Sequence, residues 1–155
     1  MSNILAFQKI VNSNYILAAI DSTEGERIRE LLLGFSVKMG RALYYWAPDN
    51  GLYRLGMNHI RIPRTETPFR ALSYIENSNN YGIYLIEDHQ MFLNKEAINT
   101  ELLKIAAKED RVKRLIIFIG ENIEIPQLLS PIFLRIRHGT KPTEQTTNKN
   151  VRLVV

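Results

Sequence analysis

The run Tyr15-Ile16-Leu17-Ala18-Ala19-Ile20, continuing into Asp21-Ser22-Thr23-Glu24-Gly25-Glu26, decides how the rest of the chain is read. Six consecutive apolar residues are strand length and suit a strand covered on both faces. Past the acidic turn the apolar residues change period: Ile28, Leu31, Leu32, Phe35 and Met39 fall on one helical face. Thr23 and Glu26 have the spacing of a capping box, so the helix is predicted to open there and to stop at Gly40. A strand followed by an amphipathic helix opens a βαβ unit, and such units build parallel sheets.

Outward from this unit the alternation repeats. Arg41–Ala47 (RALYYWA) reads as a second strand, and its Tyr44-Tyr45-Trp46 run suits a core better than a base-stacking platform. Pro48-Asp49-Asn50-Gly51 is turn chemistry, followed by a less regular stretch. Thr67-Pro68 opens a helix through Phe69, Leu72 and Ile75, with proline at its first position. Asn77–Asn80 is a loop and Tyr81–Glu87 (YGIYLIE) a third strand. Lys95–Lys108 is a helix with Ile98, Leu102 and Ile105 on one face, and Leu115–Ile119 (LIIFI) is a fourth strand. Polar residues alternate at the end of Ile132–Arg137 (IFLRIR), which places this strand at a sheet edge. The expected fold is a single α/β domain over residues 1–138, a mainly parallel sheet with helices on both faces. Residues 139–155 read as a flexible polar tail ending in a short apolar peptide, Val151-Arg152-Leu153-Val154-Val155.

The 155 residues are 45% hydrophobic and 23% charged, enough apolar material for one core without crosslinks. No cysteine is present, which excludes disulfides, thiol nucleophiles and Cys-ligated zinc together. The first residues lack a signal-peptide pattern, and no segment approaches the ~18–20 apolar residues of a membrane span, so a cytoplasmic protein is expected. His59, His89 and His138 stand far apart with no i, i+4 metal pair, and no G-x-S-x-G nucleophile elbow occurs. The net charge of +4 is concentrated in two regions. Arg41, Arg54, Arg61, Arg64 and Arg70 face only Asp49 and Glu66; Arg135, Arg137, Lys141, Lys149 and Arg152 face only Glu144.

Four strings are then considered together: RALYYW followed by Gly51; TPFRALSYI (Thr67–Ile75); YGIYLIEDHQMFLN (Tyr81–Asn94); and KRLIIFIGENIEIPQLL (Lys113–Leu129). In order and spacing they cover most of the chain from Tyr15 to Leu129. The set resembles the N-terminal, degenerate half of a family of AAA-type ATPases known as an open reading frame of chloroplast and cyanobacterial genomes. That resemblance implies a P-loop-NTPase-like fold without a Walker A loop. In the family a complete ATPase module follows this half, and the segment after Ser130 matches less well.

A phosphate-binding loop needs Gly-x-x-x-x-Gly-Lys-Ser/Thr after the first strand, so that backbone N–H groups and a lysine hold the phosphates. Here Asp21–Glu26 (DSTEGE) offers one glycine, no lysine and three carboxylates. Losing several charge-assisted hydrogen bonds, each worth roughly 1.5–3 kcal/mol, weakens nucleotide binding on the order of 1,000-fold or more. ATP hydrolysis is therefore not expected, and no catalytic residue, cofactor or metal site is assigned. Ile83–Asp88 (IYLIED) has the form of a Walker B strand, in which Glu87 and Asp88 would be metal ligand and catalytic base. Without a phosphate loop they read as vestigial acids that cap a helix or pair with neighbours.

Two functions remain. The first is a non-catalytic protein-interaction or adaptor domain, whose partner is a protein, such as an AAA-type or other motor ATPase. Its candidate contacts are Arg61, Arg64, Arg135, Arg137, His138 and the apolar residues Val151, Leu153, Val154 and Val155, which suit strand addition or a groove on the partner. The second is a nucleic-acid-binding accessory protein using the same arginine clusters, since guanidinium forks suit carboxylate and phosphate alike.

Overall fold

The computed structural model describes residues 2–137 and 152–154. In chain order the elements are α1 (Ser2–Asn12), β1 (Leu17–Asp21), α2 (Gly25–Met39), β2 (Ala42–Ala47), β3 (Gly51–Arg54) and β4 (Met57–Arg61). They continue with α3 (Pro68–Glu76), β5 (Gly82–Ile86), α4 (His89–Leu93), α5 (Glu96–Ala106), β6 (Arg114–Gly120), a short 3-10 turn, β7 (Phe133–Arg137) and β8 (Arg152–Val154). The strands make one eight-stranded sheet in the order β4-β3-β2-β5-β6-β1-β7-β8. From β2 through β8 every neighbour is parallel; β3 and β4 are added antiparallel at one end.

Alternation along the strands sorts the core into two layers, because successive side chains leave opposite faces. Ala18 and Ile20, Leu115, Ile117 and Ile119, Ile83 and Leu85, and Leu134 and Ile136 pack under α1 and α2. Leu17 and Ala19, Ile116 and Phe118, Tyr84 and Ile86, and Phe133 pack under α3, α4 and α5. This explains why the strands read as unbroken apolar runs. Trp46 is fully buried on the second face, edge-on to Phe92, with its indole N–H donating to Thr65 O at 2.7 Å. It is a core residue, as expected.

The α2 terminus at Gly40 is also as expected: Gly40 has φ 67 and Arg41 N donates back to Ser36 O at 2.9 Å. Thr67 caps α3 by accepting from Arg70 N at 3.3 Å, with Pro68 at the first helical position. Other expectations are corrected. The irregular stretch after Gly51 is the β3–β4 hairpin, turned at Leu55-Gly56 and distorted by a register shift at Tyr53/Arg54, which masks its alternation. Ser2–Asn12, for which the sequence suggested no element, forms α1. Ile132–Arg137 is not an edge strand: β7 lies between β1 and β8, so the apolar C-terminal residues add a strand to their own sheet. Residues 138–151, most of the expected tail, lie outside the described residues.

Arg114, at the start of β6, is 3% exposed and holds together three segments at the strand N-termini. Its guanidinium donates to Ile75 O at 2.8 Å, to Ser78 O at 2.7 Å, and through two nitrogens to Asp110 at 2.9 and 3.0 Å. These hydrogen bonds hold the Asp110 carboxyl below its usual pKa, with burial opposing. We predict that Arg114→Ala, which strands buried carbonyls, costs about 3 kcal/mol in urea unfolding and is poorly rescued by Arg114→Lys, which lacks the fork. A loss below about 1 kcal/mol would contradict the clamp.

Candidate functional site

In an open α/β sheet, ligands sit outside the carboxyl ends of the strands where chain connections diverge. Here that point lies between β1 and β6: β1 connects through α2 toward β2, whereas β6 passes β1 to reach β7. The space there is narrow. Ser22 N donates to Gly120 O at 2.8 Å, extending the β1–β6 pairing one residue beyond the strand end. Ser22 Oγ accepts from Glu24 N at 2.9 Å, which fixes the turn into α2. The helix starts at Gly25 with Glu24 as its cap residue and no side-chain cap, so the Thr23–Glu26 capping box does not form.

Two polar networks flank this point, one on each face. Glu87 follows Ile83 and Leu85 at even spacing and so leaves on the α1/α2 face. Its Oε1 accepts from Tyr45 Oη at 2.6 Å and from Arg29 Nη1 at 2.9 Å. The Arg29 guanidinium also lies over the Tyr45 ring, 5.3 Å from its centroid. Burial and the hydrogen bond to Glu87 push the Tyr45 hydroxyl far above its ordinary pKa, so it stays a donor. The other oxygen, Oε2, stands against the first residue of α2: a Cβ placed on Gly25 would meet it at 2.6 Å.

Asp21 leaves on the opposite face with Leu17 and Ala19. Its carboxylate accepts from Arg135 Nε at 2.9 Å, Arg135 Nη2 at 3.3 Å and Ile123 N at 3.2 Å, while Arg135 Nη2 also donates to Ile123 O at 2.5 Å. Arg135 thus ties the β6–β7 connection to the end of β1. On the same side the His89 ring lies over Gly120, where a Cβ would meet Nε2 at 2.7 Å. Burial lowers the His89 pKa from its ordinary 6.5, against the pull of Asp21 and Asp88.

The structure separates the residues singled out from sequence. Arg135, a candidate contact on an expected edge strand, is largely buried on Asp21, with a side chain only 16% exposed. Arg137 is half-buried in β7, in register between Asp21 and Val154. Arg61 and Arg64 are exposed beside the hairpin, Arg64 with φ 62. Asp88 is exposed and makes no side-chain cap at the start of α4. Leu153 and Val154 belong to β8; His138, Val151 and Val155 lie outside the described residues. Sequence reasoning passed over Arg29, Tyr45 and the placement of His89. Only the parity of Tyr45 with Leu43 and of Glu87 with Leu85 pointed to the first group. Among the described residues no three His, Asp or Glu side chains converge as metal ligands.

A mainly parallel sheet with helices on both faces and strand-end acids at its carboxyl edge is a P-loop-NTPase-like α/β architecture. The chain belongs to the family of SpoVK-like AAA ATPase N-terminal domains, which it matches over residues 4–138. It is 22% identical over 148 residues to the uncharacterized AAA domain-containing protein ycf46 of Trieres chinensis, a match covering 94% of this chain and 29% of that protein. The chain therefore spans less than a third of this curated relative. No solved structure matches it. No helix among the described residues is long and apolar enough to cross a membrane.

Two outcomes are expected. Glu87→Ala, which leaves Arg29 and Tyr45 without their shared acceptor, lowers stability by about 1–2 kcal/mol in denaturant unfolding, and its effect is non-additive with Tyr45→Phe; additive losses would show that the contacts are independent. His89 has a folded pKa below its unfolded value, so its contribution is full above pH ~6.5 and falls as pH drops through the folded pKa. The thermal midpoint should therefore decline from pH 7 to pH 5 more steeply than in His89→Gln, whereas parallel profiles would remove His89 as the cause.

Proposed function

We propose that this domain is a non-catalytic interaction module, a component or regulator of a larger AAA-type assembly. The observation that carries the reading is the position of Glu87. A phosphate seated at the start of α2, where the helix N-terminus favours anions, would meet the Glu87 carboxylate already held against Gly25. The carboxylate takes up the space such a phosphate would need, and its charge, although shared with Arg29, disfavours a second anion beside it. No lysine stands in the β1–α2 turn to offset it. Asp21, the acid at the end of β1, leaves on the other face and is paired with Arg135, so the two carboxylates do not converge on one cation.

A domain arranged in this way keeps its surfaces and lacks the phosphate seat, which fits an adaptor better than an ATPase. The pairing of Arg135 with Asp21 also takes one guanidinium out of the arginine cluster on which nucleic-acid recognition would depend. With millimolar Mg-ATP we expect no change in the thermal unfolding midpoint and no hydrolysis above the blank, because a ligand stabilises only the state it binds. A saturable upward shift with Mg-ATP would overturn the reading.

A further inference from the structure

Helix α2 carries an uncovered outer ridge. Its buried residues are Ile28, Leu32, Phe35 and Ser36, so Arg27, Glu30, Gly34, Val37 and Lys38 lie on the side away from the sheet, and all five are exposed. Gly34 stands in the middle of this 15-residue helix, where glycine is less favourable than alanine. A Cβ built there would meet no atom within 4 Å, and its φ is not positive, so no contact or turn inside the domain calls for a glycine. Beside it Val37 leaves a large apolar side chain 74% exposed, and Leu31 is half-buried on the other flank. Charge divides along the ridge: Glu30 lies one turn before Gly34 and Lys38 one turn after it. Neither makes an ion pair among the described residues.

We infer that this ridge docks a second copy of the same chain, with α2 crossing the partner's α2 antiparallel at Gly34 about a two-fold axis. Val37 and Leu31 stand three residues either side of Gly34, and Lys38 and Glu30 four residues either side. An antiparallel copy therefore sets Gly34 against the partner's Gly34, Val37 against the partner's Leu31 and Glu30 against the partner's Lys38, the last two pairs occurring twice by symmetry. With no Cβ at the crossing point the two backbones approach closely enough for each valine to pack on the opposite helix. Charge complementarity selects this occupant. A uniformly acidic or basic partner suits one half of the ridge and opposes the other, whereas an antiparallel copy satisfies both halves. The like-charged opposition of Arg27 with the partner's Arg41 falls at the ends, where crossed helices diverge. Each of these cations also has company in its own chain, Arg27 at 3.9 Å from Glu24 and Arg41 at 4.3 Å from the Tyr81 ring centroid. Gly34 lies about 14 Å along the helix from Gly25, so the interface is separate from the phosphate question and does not rest on the module reading.

The test follows the full chain by sedimentation equilibrium from micromolar to near-millimolar concentration. A reversible monomer–dimer equilibrium is expected. Gly34→Leu should weaken it about tenfold or more without lowering the thermal midpoint of the dilute chain, since a side chain there meets nothing in its own domain. Glu30→Lys should weaken it as well, and Glu30→Lys combined with Lys38→Glu should restore it, because the exchanged charges face each other again. A role of these two residues in the helix dipole alone would give no such rescue. A chain that stays monomeric at every concentration, a dimer indifferent to Gly34→Leu, or a double charge variant no better than the single one would each overturn the inference.

Discussion

Everything at the carboxyl edge of this sheet follows from the alternation of side chains along parallel strands. Asp21 continues the register of Leu17 and Ala19, and Glu87 that of Ile83 and Leu85. Those registers have opposite parity relative to the sheet, so the two acids leave on opposite faces. Each then meets a guanidinium: Arg29 from α2 reaches Glu87, and Arg135 from β7 reaches Asp21. The fold does not gather its charges around a common centre. It distributes them as two local fastenings, one for each helical layer.

The fastenings connect elements far apart in sequence. Glu87 joins β5 to β2 through Tyr45 and to α2 through Arg29, while Asp21 and Arg135 fix the connection that carries the chain past β1 to β7. At the amino edge Arg114 does the same for the ends of α3 and β6, and Lys113 donates to Val11 O and Ser13 O at the end of α1. Cations on backbone carbonyls and carboxylates thus close both edges of the sheet, while the apolar layers supply the bulk of the stability.

Most of the fold was legible because its core strands are covered on both faces and so read as uniform apolar runs. YILAAI, YGIYLIE and LIIFI became β1, β5 and β6 with boundaries moved by a residue or two. The β3–β4 hairpin was not legible, since a register shift breaks its alternation. The edge assignment of IFLRIR failed for a different reason: Arg135 was read as a solvent-facing side chain, whereas its partner Asp21 lies more than a hundred residues away. The Glu87–Tyr45–Arg29 group was hidden in the same way. Sequence shows which residue types are available, and only the sheet order shows which of them meet.

The proposed function turns on whether the start of α2 can seat a phosphate while Glu87 stands against it. The most direct measurement is a titration of the isotope-labelled chain with inorganic triphosphate, following the backbone amides of Gly25 through Ile28 by NMR. The account predicts that these amides stay where they are in the native chain. Saturable shifts centred on them would show that the helix terminus receives phosphate with Glu87 in place, and would contradict it.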